Sequence, residues 1–163
     1  MHPLSTQNGE ILGSPGKTLW MIGHSNHRVE KFLGLLKRHE IKALWDVRTS
    51  PRSYRFPWFD RDALRLSCQS ADIDYLHMGK LGGKDPLPPA GVRDFLRYVL
   101  PPTTLTAMMC SEGDFHGCHR HYLLAPVVVL MGYRVLQITQ DGDTIEDRGN
   151  TPPARAPQNL SLW

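Results

Sequence analysis

The feature that most constrains this chain is a regular alternation of short apolar runs with longer stretches of helical, amphipathic pattern. The apolar runs fall at residues 18–22, 41–47, 73–77, 104–109 and 133–138. Strands that are buried on both faces read as nearly continuous apolar runs, and helices that cover a sheet carry one apolar stripe. The pattern predicts an α/β fold, a single-domain three-layer sandwich of about five mostly parallel strands with helices on both faces.

The predicted strand order is 3-2-1-4-5. In this order the loops that carry His24, Arg48 and Cys110 follow neighbouring strands. Ligands of open α/β sheets bind outside the carboxyl ends of the strands, where the strand order reverses. A flavodoxin-like order would place the third strand between the first and fourth and separate these loops.

The domain organisation follows from length and composition. A chain of 163 residues fits one domain. We expect a flexible leader over 1–16, the α/β domain over 17–140 and a Pro-rich C-terminal tail over 141–163. No apolar run reaches the roughly 18 residues of a membrane span, so no membrane partner is expected. Three cysteines do not resemble a disulfide framework, which favours a cytoplasmic location.

The loop from Cys110 to Arg120 is the strongest candidate site. An apolar strand stops at Cys110, a loop with two glycines follows, and Cys118 opens a long segment that is predicted to be helical. A helix that begins beside a strand end presents backbone N–H groups and a dipole that favour an anion. The loop does not match the Cys-x5-Arg pattern of cysteine phosphatases, because position 116 is His.

Two kinds of role are expected around this loop. Cys110 is a candidate nucleophile or redox thiol, although a cysteine at a strand end can also be a buried hydrophobe. The candidate catalytic residues are Cys110, His24, His119 and Glu112; His24 or His119 would move protons, and the role of Glu112 stays open. The candidate ligand-binding residues are Ser25, Asp46, Arg48, Arg52, Ser111, Cys118 and Arg120. Arg48 and Arg120 would bind the anion directly, and Asp46 would orient an arginine.

Two further readings stay open. A basic and aromatic loop over residues 49–60, which includes Arg52 and Tyr54, suits a nucleotide or nucleic acid by charge and stacking. Cys110, Cys118 and nearby histidines could instead hold zinc, but their spacing lacks the paired short intervals of zinc ribbons, and no metal ligand is assigned. The sequence assigns no cofactor.

The motifs together resemble the domain of unknown function DUF488 family. The matching segments are Ile22-Gly23-His24-Ser25-Asn26, Asp46-Val47-Arg48-x-x-Pro51-x-Ser53, Leu81-Gly82-Gly83, Cys110-Ser111-Glu112, Cys118-His119-Arg120 and Thr151-Pro-Pro-Ala-Arg155. The family usually has alanine where Ser111 stands. The resemblance, over about residues 17–155, implies a small α/β domain with these motifs gathered in one place, and it implies no established reaction.

Three hypotheses follow for function. The first is a composite anion-binding pocket at the strand carboxyl ends, in a cysteine-dependent enzyme that acts on a phosphorylated or nucleotide-like ligand. The second is a non-catalytic module that binds nucleic acid or a protein partner through the basic loop. The third is a Cys/His metal-binding protein. The sequence alone does not choose between an enzyme and a binding domain, and it does not give the oligomeric state.

Overall fold

The computed structural model describes Thr6–Gln7, Glu10–Ile11 and residues 18–149. The strands are β1 (Thr6–Gln7), β2 (Glu10–Ile11), β3 (Thr18–Gly23), β4 (Ala43–Asp46), β5 (Asp74–His77), β6 (Thr106–Cys110), β7 (Arg134–Ile138) and β8 (Thr144–Asp147). The α-helices are α1 (Val29–Arg38), α2 (Arg61–Ser70), α3 (Pro89–Leu96) and α4 (Ala125–Leu130). Short 3-10 helices cover Pro57–Phe59, Gly79–Leu81 and Phe115–Gly117, and a π-helical turn covers Arg120–Leu124.

Six of the strands form one sheet in the order β5-β4-β6-β3-β7-β8. All neighbouring pairs are parallel except β7 with β8, which are antiparallel. The α/β class is therefore confirmed. The separate β1–β2 pair is antiparallel and lies outside this sheet.

Two apolar cores lie on the two faces of the sheet. On one face, Trp20 and Ile22 of β3 belong to the same cluster as Phe32 of α1 and Leu64 of α2. On the other face, Leu19 and Met21 pack in a cluster that includes buried residues of α3 and α4. Because successive side chains of a strand point to opposite faces, this alternation produces the predicted three layers.

The predicted strand order was wrong in one respect. In predicted numbering the observed order is 3-2-4-1-5, so the fourth strand, β6, lies between the first and the second. Both β3 and β6 are buried along their whole length, as central strands must be. The loops of His24, Arg48 and Cys110 are still neighbours, because they follow three consecutive strands of the sheet.

The sheet also has one strand more than expected. β8 falls inside the segment that was predicted to be tail. It pairs with β7, with Thr144 opposite Ile138 at one end and Asp147 opposite Val135 at the other. The rest of the predicted tail, from 150 onward, lies outside the described residues, as does most of the predicted leader. None of the helices in the described ranges is long and apolar enough to cross a membrane.

The segment after Cys118 is not one regular helix. A π-helical turn at Arg120–Leu124 precedes α4, and Pro126 lies in the first turn of α4. Proline has no N–H group and is tolerated where the first turn leaves that donor unpaired. Gly132 follows α4 with φ of +97°, a left-handed conformation that glycine adopts readily at a helix end.

Candidate functional site

A cleft of about 850 Å³ opens at the carboxyl ends of β3, β4 and β6. The chain leaves β3 through α1 on one face of the sheet and leaves β6 through α4 on the other face. Neighbouring strands with diverging connections form the crevice in which α/β proteins bind ligands. The register places Gly23 opposite Cys110, which brings the loops after these strands to the same level.

The floor of the cleft holds two cysteines and an arginine. Cys110 Sγ lies 2.9 Å from Cys118 Sγ and 2.5 Å from one terminal nitrogen of Arg120. The same nitrogen donates to the Glu112 carbonyl oxygen at 2.6 Å. All three side chains are buried, and both cysteines are free thiols that line the cleft.

Gly23 makes this arrangement possible. A Cβ atom at position 23 would overlap the Glu112 carbonyl oxygen and lie 2.8 Å from the Arg120 guanidinium. Glycine is needed here because the backbone of one loop approaches the next so closely. Gly82 has the same role against the Thr49 backbone, so the Leu81-Gly82-Gly83 motif packs against the loop after Arg48.

Arg120 is fully buried and has an unusual set of partners. Within residues 18–149 its hydrogen bonds reach two sulfur atoms, the carbonyl oxygens of Glu112 and Gly113, and the side-chain oxygen of Gln137. None of these partners is a carboxylate. A buried cation needs a compensating anion, because desolvation of an unpaired charge costs several kcal/mol. The thiolate form of Cys110 is the anion in contact with it.

The pKa values of the two thiols move apart. Burial acts to raise the pKa of Cys110, but the Cys118 hydrogen bond and the Arg120 charge together lower it to about 6. Burial and the neighbouring Cys110 thiolate raise the pKa of Cys118 well above its ordinary value. The pair therefore carries one negative charge at neutral pH, with the Cys118 S–H group donating to the Cys110 thiolate.

A polar network supports Arg120 from behind. Its Nε donates to Gln137 Oε1 at 3.0 Å, and Gln137 Nε2 donates to Asp147 Oδ2 at 3.1 Å. His121 Nδ1 lies 2.7 Å from the same Asp147 oxygen. Gln137 and Asp147 are buried, so the network fixes the guanidinium and connects it to the antiparallel edge strand β8.

Arg120, which was predicted to bind the anion directly, is fully buried and lies outside the cleft lining. The prediction assumed a regular helix that starts at Cys118. Instead Cys118 and His119 line the cleft, while the π-helical turn directs Arg120 beneath the thiols. Arg120 acts on the cleft through the charge state of Cys110.

A second buried arginine forms another wall of the cleft. Arg48 makes a two-point pair with Asp46, from Nε to Oδ1 at 2.8 Å and from a terminal nitrogen to Oδ2 at 2.7 Å. The Tyr75 hydroxyl donates to the same carboxylate, and burial with the Asp46 charge raises the pKa of Tyr75. Asp46 thus orients Arg48, as the sequence predicted for an acid at this strand end, and lies behind Arg48 rather than in the cleft.

His24 is held in one position by three groups. It stacks on Phe59 at 4.3 Å between ring centroids, and its Nδ1 lies 2.8 Å from the Ser25 carbonyl oxygen. Its Nε2 lies 3.4 Å from a terminal nitrogen of Arg48. Burial, reinforced by the Arg48 charge, lowers the pKa of His24 to about 4. The imidazole is therefore neutral at neutral pH, with Nδ1–H donating and Nε2 accepting.

Ser25 does not cap the following helix. The N-cap of α1 is Arg28, without a side-chain hydrogen bond. Ser25 has φ of +49°, and its N–H donates to the Ser111 carbonyl oxygen. This left-handed turn ties the β3 loop to the β6 loop. Ser25 and Ser111 both line the cleft.

Two further titratable side chains line the cleft. Burial and the Arg120 charge lower the pKa of His119 to about 4, and its Nδ1 lies 3.6 Å from Cys118 Sγ. Its buried Nε2 has no hydrogen-bond partner among the described residues. Burial raises the pKa of Glu112, with the Arg120 charge opposing this shift. A partly buried carboxyl with a raised pKa suits proton transfer near neutral pH.

The rim of the cleft is basic and aromatic. Arg52, Arg55 and Lys84 line it together with Tyr54, whose side chain is 89% exposed. The N–H group of Gly113 makes no hydrogen bond to another residue of the described chain. An electropositive rim with a free backbone donor favours an anionic ligand.

The predicted site residues therefore gather in one place. Nine of them line the cleft, namely His24, Ser25, Arg48, Arg52, Cys110, Ser111, Glu112, Cys118 and His119. Asp46 and Arg120 lie behind this lining. Sequence reasoning missed Tyr75, Gln137 and Asp147. Gln137 carried a usable signal, because a lone amide within an apolar strand needs a buried partner.

The zinc hypothesis has no geometric support in the described part of the chain. No group of three or more His, Cys, Asp or Glu side chains there is arranged to hold a metal ion. His119 would be the third metal ligand beside the two thiols, but its ring lies next to the Cys118 sulfur only.

Fold and site together define a class: an α/β protein with a paired-thiol and arginine centre at the carboxyl ends of parallel strands. Residues 28–98 match the family model described as Domain of unknown function DUF488, which confirms the resemblance over this part of the chain. The match includes the Asp46–Ser53 and Leu81–Gly83 motifs. The His24 and Cys110 motifs lie outside it.

No curated protein matches this sequence. Among solved structures, two of P. aeruginosa TpbA are similar, one of them a cysteine-to-serine variant in complex with pTyr. They show 15% and 17% identity with TM-scores of 0.42 and 0.41, and each alignment covers 74% of this chain. The chain spans 62% and 63% of the length of those chains. Similarity at this level carries no inference about activity.

Proposed function

We propose that this protein is a cysteine-dependent enzyme that acts on a phosphorylated or nucleotide-like ligand bound in the cleft. The observation that carries the proposal is the contact between Cys110 and Arg120. A fully buried guanidinium without a carboxylate partner stabilises the thiolate, and the thiolate is the nucleophilic form of cysteine.

The cleft supplies groups for the anion. Arg52 and Lys84 provide charge at the rim, and the Gly113 N–H group is free to donate. Arg48 adds positive charge from a fixed position, because its Nε and one terminal nitrogen are already paired with the Asp46 carboxylate. The Ser25 and Ser111 hydroxyls can complete the hydrogen bonding of the ligand.

In the proposed reaction Cys110 acts as the thiolate while Cys118 stays protonated. A bond forms between Cys110 Sγ and the electrophilic atom of the ligand, and the bond to the leaving group breaks. Glu112, with its raised pKa, gives a proton to the leaving group, and water later displaces the cysteine. Neutral His24 positions Arg48, and His119 is the alternative proton carrier.

Alkylation with iodoacetamide tests the thiolate directly. At pH 7, Cys110 should react much faster than Cys68, because burial raises the pKa of Cys68 to about 12. Inorganic phosphate or a nucleoside monophosphate should slow the reaction at Cys110. Turnover of a panel of phosphate esters should be lost in Cys110→Ser and kept in the matched control Cys68→Ser. Turnover that survives Cys110→Ser would refute the nucleophile.

One observation favours a second candidate, a non-catalytic nucleic-acid-binding module. Arg52 and Arg55 flank the exposed Tyr54, a combination that suits phosphate contact and base stacking. Arg52→Ala should then weaken binding to a single-stranded oligonucleotide and reduce the salt dependence of that binding. Arg97→Ala serves as the control, because Arg97 is exposed at the end of α3. Equal binding by both variants would remove this candidate.

A further inference from the structure

Cys118 has no role in the proposed reaction beyond its hydrogen bond, yet it is placed for a reaction of its own. Its sulfur lies 2.9 Å from Cys110 Sγ, and both sulfurs line the cleft. A disulfide bond is about 2.05 Å long, so the two atoms need to approach by less than about 1 Å.

We propose that Cys110 and Cys118 form a redox couple that reduces hydroperoxides, with Cys110 as the attacking thiolate and Cys118 as the resolving thiol. This inference rests on the Cys110 thiolate of the proposed function and extends it to an activity that the cleft would have without a phosphorylated ligand.

The chemistry has two balanced steps. The Cys110 thiolate attacks the terminal OH oxygen of the hydroperoxide, the O–O bond breaks, and the departing oxygen takes a proton from solvent to leave as water or alcohol. Cys110 is then a sulfenic acid. Cys118 attacks that sulfur, the S–O bond breaks, and the Cys118 proton leaves with the hydroxide as water. A dithiol reductant restores both thiols by exchange.

The surroundings suit both steps. Arg120 stabilises the thiolate before attack and can donate to the departing oxygen, because its guanidinium lies against the reacting sulfur. Cys118 already points at Cys110 through its S–H group, so the second step needs no rearrangement of the loop. Cys68 is buried in the other core with α1 and α2, so it cannot compete as a resolving thiol.

Peptide mass analysis of the full chain after treatment with one equivalent of hydrogen peroxide tests the couple. Trypsin releases residues 98–120 as one peptide with both cysteines, and Cys68 falls in another. The first peptide should lose two hydrogen atoms and regain them with dithiothreitol. In Cys118→Ser, Cys110 should persist as a sulfenic acid and label with dimedone about tenfold more than in the wild type.

The outcomes separate the two proposals. Rapid iodoacetamide alkylation of Cys110 without any peroxide-induced disulfide in the wild type overturns the redox couple and leaves the proposed function standing. A Cys110 that neither alkylates nor oxidises overturns both. A disulfide that involves Cys68 also overturns the couple. The decisive measurement uses the wild-type protein, so a folding defect in Cys118→Ser does not affect it, and Cys118→Ala provides a second variant.

Discussion

Replacing Arg120 with methionine tests the central electrostatic claim. Two unit charges about 3 Å apart interact by about 5 kcal/mol at an effective dielectric constant of about 20. That energy corresponds to about four pKa units. The pKa of Cys110, now about 6, should therefore rise to about 10 in Arg120→Met.

The assay is the pH dependence of iodoacetamide alkylation at Cys110. The midpoint of the profile is the quantity to compare, because a more basic thiolate is also a better nucleophile and raises the plateau rate. Arg120→Lys keeps the positive charge and should give a midpoint between those of the wild type and Arg120→Met. The rim residue Arg52 serves as a control, since its exposed charge is screened by solvent and Arg52→Met should leave the midpoint nearly unchanged.

Circular dichroism must show that Arg120→Met is folded before its profile is interpreted. A folded Arg120→Met with a midpoint still near that of the wild type would refute the reasoning. In that case the Cys118 S–H group and the Glu112 N–H group, rather than the arginine, would hold the thiolate.

Three other predictions concern stability. In the folded protein the pKa of His24 is lowered to about 4, below its value in the unfolded chain, so the stability of the protein should fall as the pH drops from about 6.5 towards 4. Thermal melting across this pH range should show a smaller loss of stability for His24→Asn than for the wild type. Asp46→Asn should cost about 3–5 kcal/mol in chemical unfolding, since it leaves the buried Arg48 without its anion; a cost below about 1 kcal/mol would contradict the pairing. Gly23→Ala should destabilise by several kcal/mol because its Cβ overlaps Glu112, whereas Gly34→Ala in α1 meets nothing within 4 Å and should stabilise by up to about 1 kcal/mol.

The layers and the gathering of the site could be predicted from sequence because both depend on periodicity. Apolar runs mark buried strands, and residues such as His24, Arg48 and Cys110 follow directly after such runs. Parallel strands then bring their carboxyl ends to one edge. Strand order could not be predicted in the same way, because β3 and β6 are equally apolar and the order depends on which face each connection crosses.

The position of Arg120 could not be predicted from the sequence, and the reason is local. Its direction depends on a π-helical turn, and no spacing of apolar residues distinguishes such a turn from a regular helix start. Its supporting partners also come from distant parts of the chain, Gln137 from β7 and Asp147 from β8. The sheet pairing that brings them together is a tertiary property.

The two buried arginines of this site differ in the permanence of their counterions. Arg48 faces Asp46, a carboxylate that further accepts from Tyr75. Arg120 faces a thiolate, which loses its charge on protonation, alkylation or oxidation. Each of these changes leaves Arg120 as a buried cation whose nearest carboxylate in its hydrogen-bond network is Asp147, reached through Gln137. The charge balance around Arg120 therefore depends on the chemical state of Cys110, whereas that around Arg48 does not.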